Sequence, residues 1–239
     1  MNYGRFRALA GRMFDEIPAP FRVGISGLVV EHEAQGHPSI PGVYTLGECV
    51  TESWPDGTGG LGEMLSQIVL YHGSFQALAA DEPHFDWEAE LWETMLHELL
   101  HHREASAGED ALDRFDWAVD QNYLRLAGRS FDPGFYRTLP VDADGGARLD
   151  GETFLETSVA AGATEARFRW RDASYSVHVP ATEASAWVRV RNLVGGRLWL
   201  IVLRRMSWWR RMLGAGGWYA EILDRRALPT SAPGRGSDR

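Results

Sequence analysis

The sequence predicts an α+β protein in two parts: a compact unit of helices around a small sheet over residues 1–130, then an antiparallel β-rich unit over residues 149–226. Three observations predict this. Apolar residues recur at helical spacing through the first part. The period changes to two beyond residue 148. The charge changes sign between the halves, with 9 Arg against 22 acidic residues over 1–140 and 15 Arg against 11 beyond.

Phe6, Leu9, Ala10, Met13, Phe14 and Ile17 fall on one helical face, and Pro18 stops that helix. SGLVVEHE (26–33) reads as a strand, AQGHPSIP as a loop, and GVYTLGECV (42–50) as a strand or a broken pair. TESWPDGTGG (51–60) is rich in turn residues and has the composition of a flap. SQIVLY (66–71) reads as a buried strand, followed by a short helix in HGSFQALAA. Asp86 can cap the next helix, whose first turns hold Glu88, Glu90 and Glu93 where the dipole favours anions. Leu91, Met95 and Leu99 lie on its apolar face. Ser106 and Glu109 have capping-box spacing for a further helix running to Gly128.

Residues 131–148 read as a linker. After it, ARFRWR (166–171) places Ala166, Phe168 and Trp170 on one face and three arginines on the other. YSVHVP (175–180) and WVRVR (187–191) alternate in the same way, and LWLIVL (198–203) reads as a central strand buried on both faces. SWWRRMLGAGGWYAEIL (207–223) is expected to cover the sheet with its tryptophans. Residues 227–239 read as a disordered tail.

Composition excludes several function classes. The acidic first half, net −13, repels nucleic acid, and the arginines of the second half alternate along strands rather than forming a block. The longest apolar run is too short to span a bilayer, so no integral membrane segment is expected. Cys49 is the one cysteine, which rules out an internal disulfide and a thiolate zinc cluster. With no leader pattern at the N-terminus, the expected setting is cytoplasmic.

The chemistry concentrates in ETMLHELLHHREA (93–105). His97 and His101 stand one helical turn apart on one face, so both imidazoles can reach a single ion. Glu98, beside His97, is placed as general base for a metal-activated water in the H-E-x-x-H pattern. His102 points about 100° away from His101 and is expected outside the ligand set. A catalytic site needs a third ligand and an open position. Glu104, Asp110, Asp113 and Asp116 are the candidates, and spacing alone does not choose among them. The plain alternative is a polar helix end that favours imidazolium through its dipole.

FRALAGRMFDEIPAPF, GVYTLGE, QIVLYHGSF and TMLHELLHH followed by an acidic helix occur in the order found in the minimal zincin-like bacterial metallopeptidases, which residues 1–130 resemble. The resemblance implies a zinc-dependent peptidase, with an N-terminal helix, a small sheet and the motif helix packed together. In that family a glycine and then an aspartate follow the motif helix, which points to Asp110 as third metal ligand beside His97 and His101, with Asp113 second. This sequence departs by inserting REASA between HH and Gly108. Sites of this kind hold an extended peptide against a sheet edge. The strand ending Val69-Leu70-Tyr71 is expected to be that edge, with Tyr71 packing and His72 capping the next turn rather than serving an oxyanion. His32, His37 and His84 are expected at the surface.

The second unit, over ETFLETSVAAGATEARFRW and YSVHVPATEASAWVRVRNLVGGRLWLIV, weakly resembles the client-binding β-domain of J-proteins, which implies a substrate- or partner-binding module. Two functions are therefore carried forward: a zinc peptidase acting on peptide or protein substrates, and a binding or adaptor protein that keeps the zincin fold with little or no turnover.

Overall fold

The computed structural model describes residues 1–53, 64–181, 185–193, 195–205 and 221–230. The chain divides into two compact units, Met1–Asp116 with Leu126–Gly128, and Trp117–Arg125 with Arg129–Arg239. The division falls inside a helix rather than at the linker read from composition.

The first unit opens with α1 (Tyr3–Glu16), capped by the Asn2 side chain, which accepts from the Arg5 amide. Ile17 ends it and is buried, and Pro18 leads into a short 3-10 turn, η1 (Ala19–Phe21). Then come β1 (Ile25–Glu31), a two-residue ladder of β2 (Gln35–Gly36) with β3 (Tyr44–Thr45), β4 (Gly47–Ser53) and β5 (Met64–Tyr71). The segment read as a strand or broken pair is therefore broken, at Leu46, whose carbonyl accepts from the Tyr71 amide. Of the turn-rich stretch 51–60, residues 54–60 lie outside the described residues.

The sheet order is β1-β5-β4, with β1 parallel and β4 antiparallel to β5. This corrects one expectation. The strand ending at Tyr71 is central, buried at Ile68, Val69 and Leu70, and the edges are β1 and β4. A run apolar on consecutive positions reports that both faces of a strand are covered, and does not say which strands pair alongside it.

Three helices follow: α2 (His72–Asp81), α3 (Trp87–Ala107) and α4 (Ala111–Leu126). Asp86 caps α3 as expected, accepting from the amides of Glu88 and Ala89. Leu91, Met95 and Leu99 of α3 join Phe6, Leu9, Ala10, Ile68, Leu70 and Phe75 in one core. Ser106 does not cap a new helix. It lies inside α3 with its hydroxyl on the His102 carbonyl, and α3 ends only at Gly108, at φ 70°. REASA is the last turn of α3, not a loop.

The second unit contains η2 (Phe135–Thr138), β6 (Ala147–Leu149), β7 (Glu152–Ala160), β8 (Glu165–Trp170), β9 (Ala173–His178), β10 (Ala186–Arg191), β11 (Arg197–Arg205), β12 (Glu221–Arg226) and β13 (Leu228–Pro229). Its sheets run β12-β10-β11-β7-β6 and β13-β9-β8. The expectation of an antiparallel unit holds for β10 with β11 and β8 with β9. It fails where β11 pairs with β7 and β10 with β12, both parallel. Period-two alternation reports burial of one face and is blind to strand direction. LWLIVL is central, with Leu198 to Val202 all buried. Val188, Val190, Leu198, Leu200 and Val202 meet Phe168, Trp170 and Val177 in one core. The opposite face of β10 and β11 is aromatic: Trp187 lies within 5.9 Å, centroid to centroid, of Trp199, Phe131, Phe135, Tyr136 and Phe154. The Arg125 guanidinium of α4 sits 4.7 Å from the Trp199 ring and forms a buried ion pair with Glu152. Residues 206–220 and 231–239 lie outside the described residues. Leu228–Pro229 of the segment read as tail pair with β9.

Candidate metal centre

Three side chains converge between α3 and the start of α4. His97 Nε2 lies 3.2 Å and His101 Nε2 2.7 Å from Asp116 Oδ2, and the two imidazole nitrogens are 3.2 Å apart. The rings stand at 83° to each other, both turning Nε2 toward one point. Among the described residues these three form the group of donors within 4.8 Å of one another. The donor set fits zinc: two imidazoles and a carboxylate are a known three-ligand combination, and donors at 2.0–2.1 Å from a tetrahedral centre lie roughly 3.3 Å apart.

Asp116 stands where the resemblance pointed to Asp110. Asp110 instead pairs with Arg114 at 3.2 Å on an exposed surface, and its carbonyl accepts from the Arg114 amide at the start of α4. The extra turn of α3 explains the difference. Gly108 lies seven residues past His101, about 10 Å of helical rise. Asp116 lies six residues beyond Asp110, about 9 Å of rise in the return direction. A longer outward helix thus requires a ligand further along the returning one. Glu104, another candidate, accepts from the Leu112 amide and caps α4. Asp113 sits one turn before Asp116, with Oδ1 3.0 Å from His101 Nδ1. A carboxylate there holds the proton on Nδ1 and leaves Nε2 to face the shared point.

The electrostatics follow the geometry. The hydrogen bond to Asp116 raises the His97 pKa, burial opposing it and the charges of Asp116 and Glu98 adding to it. Burial pushes Asp116 upward, but the bond from His97 and the charges of His97 and His101 outweigh it and hold the carboxyl below the ordinary range. Glu98 moves the other way. Burial raises its pKa, His97 and His101 pull it down, and the charges of Asp116 and Glu48 add to the rise. Glu98 is only 6% exposed, and among the described residues it makes no hydrogen bond or ion pair. Its carboxylate oxygens are not among the fully buried polar atoms left without a partner, so the group opens into the space it faces.

What Glu98 faces is a cleft of about 800 Å³, lined by Thr45 to Thr51 on one side, by Glu90, Glu93, Thr94, His97, Glu98, His101 and Ala105 of α3, and by Asp113 and Asp116. Gly47 makes its narrowest wall. A Cβ there would stand 2.8 Å from Thr94 Cγ2, 3.1 Å from Glu98 Cγ and 3.2 Å from Glu98 Oε1. Only glycine lets β4 lie this close to α3.

His102 is neither a ligand nor solvent-facing. It is buried, with Nε2 2.8 Å from the Val23 carbonyl and Nδ1 2.7 Å from Ser66 Oγ, which in turn lies 2.7 Å from Thr51 Oγ1. The carbonyl can only accept, so Nε2 carries a proton. This chain pins the far end of α3 to β5 and β4. The Tyr71 hydroxyl donates to Glu48 at 3.0 Å, and burial with that bond pushes its pKa up to about 12. His72 opens α2 from a buried position with Nε2 3.1 Å from the Met1 carbonyl, amid Tyr3, Phe6 and Trp87. Of the three histidines placed at the surface, His32 and His84 are exposed. His37 is half-buried and accepts from the amides of Ser39 and Ile40.

Residues 26–117 match the zincin-like metallopeptidase family. The match spans β1 through the first residues of α4, and so includes every member of the cluster. A solved structure of a conserved hypothetical protein from Thermo thermophilus is 42% identical, covering 45% of this chain and 98% of that one, with a TM-score of 0.39. No curated protein matches the chain. No helix among the described residues is long and apolar enough to cross a membrane.

Proposed function

We propose that the first unit is a zinc-dependent peptidase, a hydrolase that cuts peptide bonds with water. The observation that carries this is the convergence of His97, His101 and Asp116 in the same cleft as a buried, unpartnered Glu98. His97, His101 and Asp116 would hold the ion, with Asp113 fixing the ring of His101. When bound, zinc supplies Lewis acidity that polarises a carbonyl and makes water a nucleophile near neutral pH. Glu98 takes the proton from the attacking water onto a carboxylate oxygen and delivers it to the leaving amine. Its raised pKa suits both halves of that transfer. β4 is the sheet edge that offers main-chain groups to an extended peptide, and β5 on its other side is already paired.

In this reading the β-rich unit is a polypeptide-binding module that serves the first, supported by the order of its strand motifs. The setting is cytoplasmic, in keeping with a single, thiol-form cysteine.

The test is direct. Zinc-loaded protein should cleave an unstructured polypeptide, and Glu98→Gln should lower kcat by at least about 100-fold, the scale of a lost general base, with zinc stoichiometry unchanged. Cleavage that survives the substitution removes Glu98 from its role. Bound zinc with no cleavage of any substrate by the unaltered protein favours a binding protein on a zincin fold.

A further inference from the structure

The third metal donor stands on a helix that is gripped further along its length. α4 is continuous from Ala111 to Leu126, and of its 16 residues only Ala118, Asn122 and Arg125 are buried. At about 100° per residue these three point roughly 180–240° away from the direction of Asp116, while Asp113 lies within about 60° of it. The carboxylates and the packed face are on opposite sides of one cylinder. The turns that carry Asp113 and Asp116 bury no side chain of their own, and a helix draws most of its stability from its packed face. Glu104, accepting from the Leu112 amide, fixes where α4 begins and leaves its rotation to that face. There, Asn122 Nδ2 donates to Asp150 Oδ2 at 2.9 Å, and Arg125 Nε and Nη2 donate to Asn122 Oδ1 at 3.0 and 2.7 Å. Arg125 also pairs with Glu152 and lies 4.7 Å from the centroid of the Trp199 ring. Asp150 and Gly151 are the turn between β6 and β7, at φ 50° and 71°, the left-handed pair of a tight two-residue hairpin. Asn122, Arg125 and Glu152 are all buried, and a buried network with its bonds made stiffens what it holds.

We propose that Asn122 and Arg125, clasped to Asp150 and Glu152, are positioning residues for the metal centre: by setting the rotation of α4 they aim Asp116 at the point it shares with His97 and His101. The inference rests on the metal reading of that cluster, and not on turnover. Nine residues separate Asp116 from Arg125, about 13 Å of helical rise, so Arg125 acts through the helix rather than by touching an ion. An aspartate carboxylate stands roughly 5 Å from its helix axis, so a rotation of about 15° carries it about 1.3 Å, well beyond the roughly 0.5 Å within which a ligand constellation must be held.

The experiment measures the zinc affinity of the full chain by competition with a chelating dye, at a temperature where circular dichroism shows each protein folded. Arg125→Met should bind zinc about 10- to 100-fold more weakly than the parent, the scale on which loss of a ligand's support is felt. Asp116→Ala should weaken binding at least as much, and adding Arg125→Met to it should cost nothing further, because Arg125 acts through Asp116. Where Arg125→Met does not fold, Asn122→Ala removes the amide that links Arg125 to Asp150 and carries the same expectations. Val188→Ala leaves a cavity in the core on the opposite face of β10 from Trp187, and so controls for lost stability; it should leave the affinity unchanged. Cobalt(II) in place of zinc gives a second readout. The visible spectrum of Arg125→Met should move toward that of Asp116→Ala, and that of Val188→Ala should match the parent. Unchanged affinity in Arg125→Met, a further loss in the double variant, or an equal loss in Val188→Ala would each overturn the positioning role and leave the metal site standing. No zinc bound by the parent, or binding that Asp116→Ala does not weaken, would sink the metal reading and the proposal with it.

Discussion

Replacing Gly47 by alanine tests how tightly the cleft is built. The added methyl would sit 2.8 Å from Thr94 Cγ2 and 3.1 Å from Glu98 Cγ, well inside van der Waals contact. Overpacking of this kind costs about 1–3 kcal/mol. Against it stands the relief of glycine's extra chain entropy, about 0.5–1 kcal/mol in a strand. Gly47 is not among the glycines at positive φ, so alanine meets no backbone penalty of its own. The expected net loss is about 1–2 kcal/mol, or on the order of 5 °C in the unfolding of a unit this size. Thermal unfolding with and without zinc measures it. A second substitution separates strain from function. Thr94→Ser removes the methyl in the closest contact, so Gly47→Ala/Thr94→Ser should recover most of the stability. The contact with Glu98 remains, and peptide cleavage should stay depressed. If Gly47→Ala is as stable and as active as the parent, the close approach of β4 to Glu98 has no bearing on the site and the account of this wall is wrong.

The remaining predictions concern the ligands, pH and the second unit. Asp116→Ala should abolish the zinc-induced rise in melting temperature, as His97→Ala should, whereas Asp110→Ala should leave it nearly intact; the reverse result would restore Asp110 as the ligand. In the metal-free protein the His97–Asp116 pair contributes stability that is lost as pH falls through the lowered Asp116 pKa and lost again as pH rises through the raised His97 pKa. Its contribution therefore peaks between the ordinary values of 3.8 and 6.5. Both side chains are more than a third exposed, so the pair is worth under about 1 kcal/mol, and the gap in unfolding midpoint between parent and His97→Ala should be wider at pH 5 than at pH 8.5. A gap independent of pH would contradict the pairing. In the second unit Arg125→Met leaves the Glu152 carboxylate buried without its partner and should cost about 3–5 kcal/mol in denaturant unfolding. Arg125→Met/Glu152→Gln should recover part of that loss, and a single-variant cost below about 1 kcal/mol would remove the pair from the stability of this unit.

Local signals proved readable where one element decides them. The α1 face, the Asp86 cap, the burial of LWLIVL and the shared face of His97 and His101 all depend on period and a few neighbouring residues, and each appears in the structure as read. The errors came from registers set between elements. Ser106 and Glu109 carry the spacing of a capping box, but tertiary packing keeps Ser106 inside α3. That one-turn difference brings Asp116 rather than Asp110 beside His97 and His101, and the only trace of it in the sequence was the five-residue REASA excess. Edge and centre of the first sheet were exchanged for a similar reason, since strand order is fixed by partners distant in sequence. Alternation in the second unit located its strands without revealing that two of the pairings are parallel. His102 looked like a surplus histidine and is a buried tie, which no spacing rule signals.

An open strand border is also a hazard, because it templates cross-molecular pairing and, in the end, insoluble stacks. Among the described residues β4 is such a border, and it carries Glu48 and Glu52. Two molecules approaching border to border would press these anions together, which keeps twins apart.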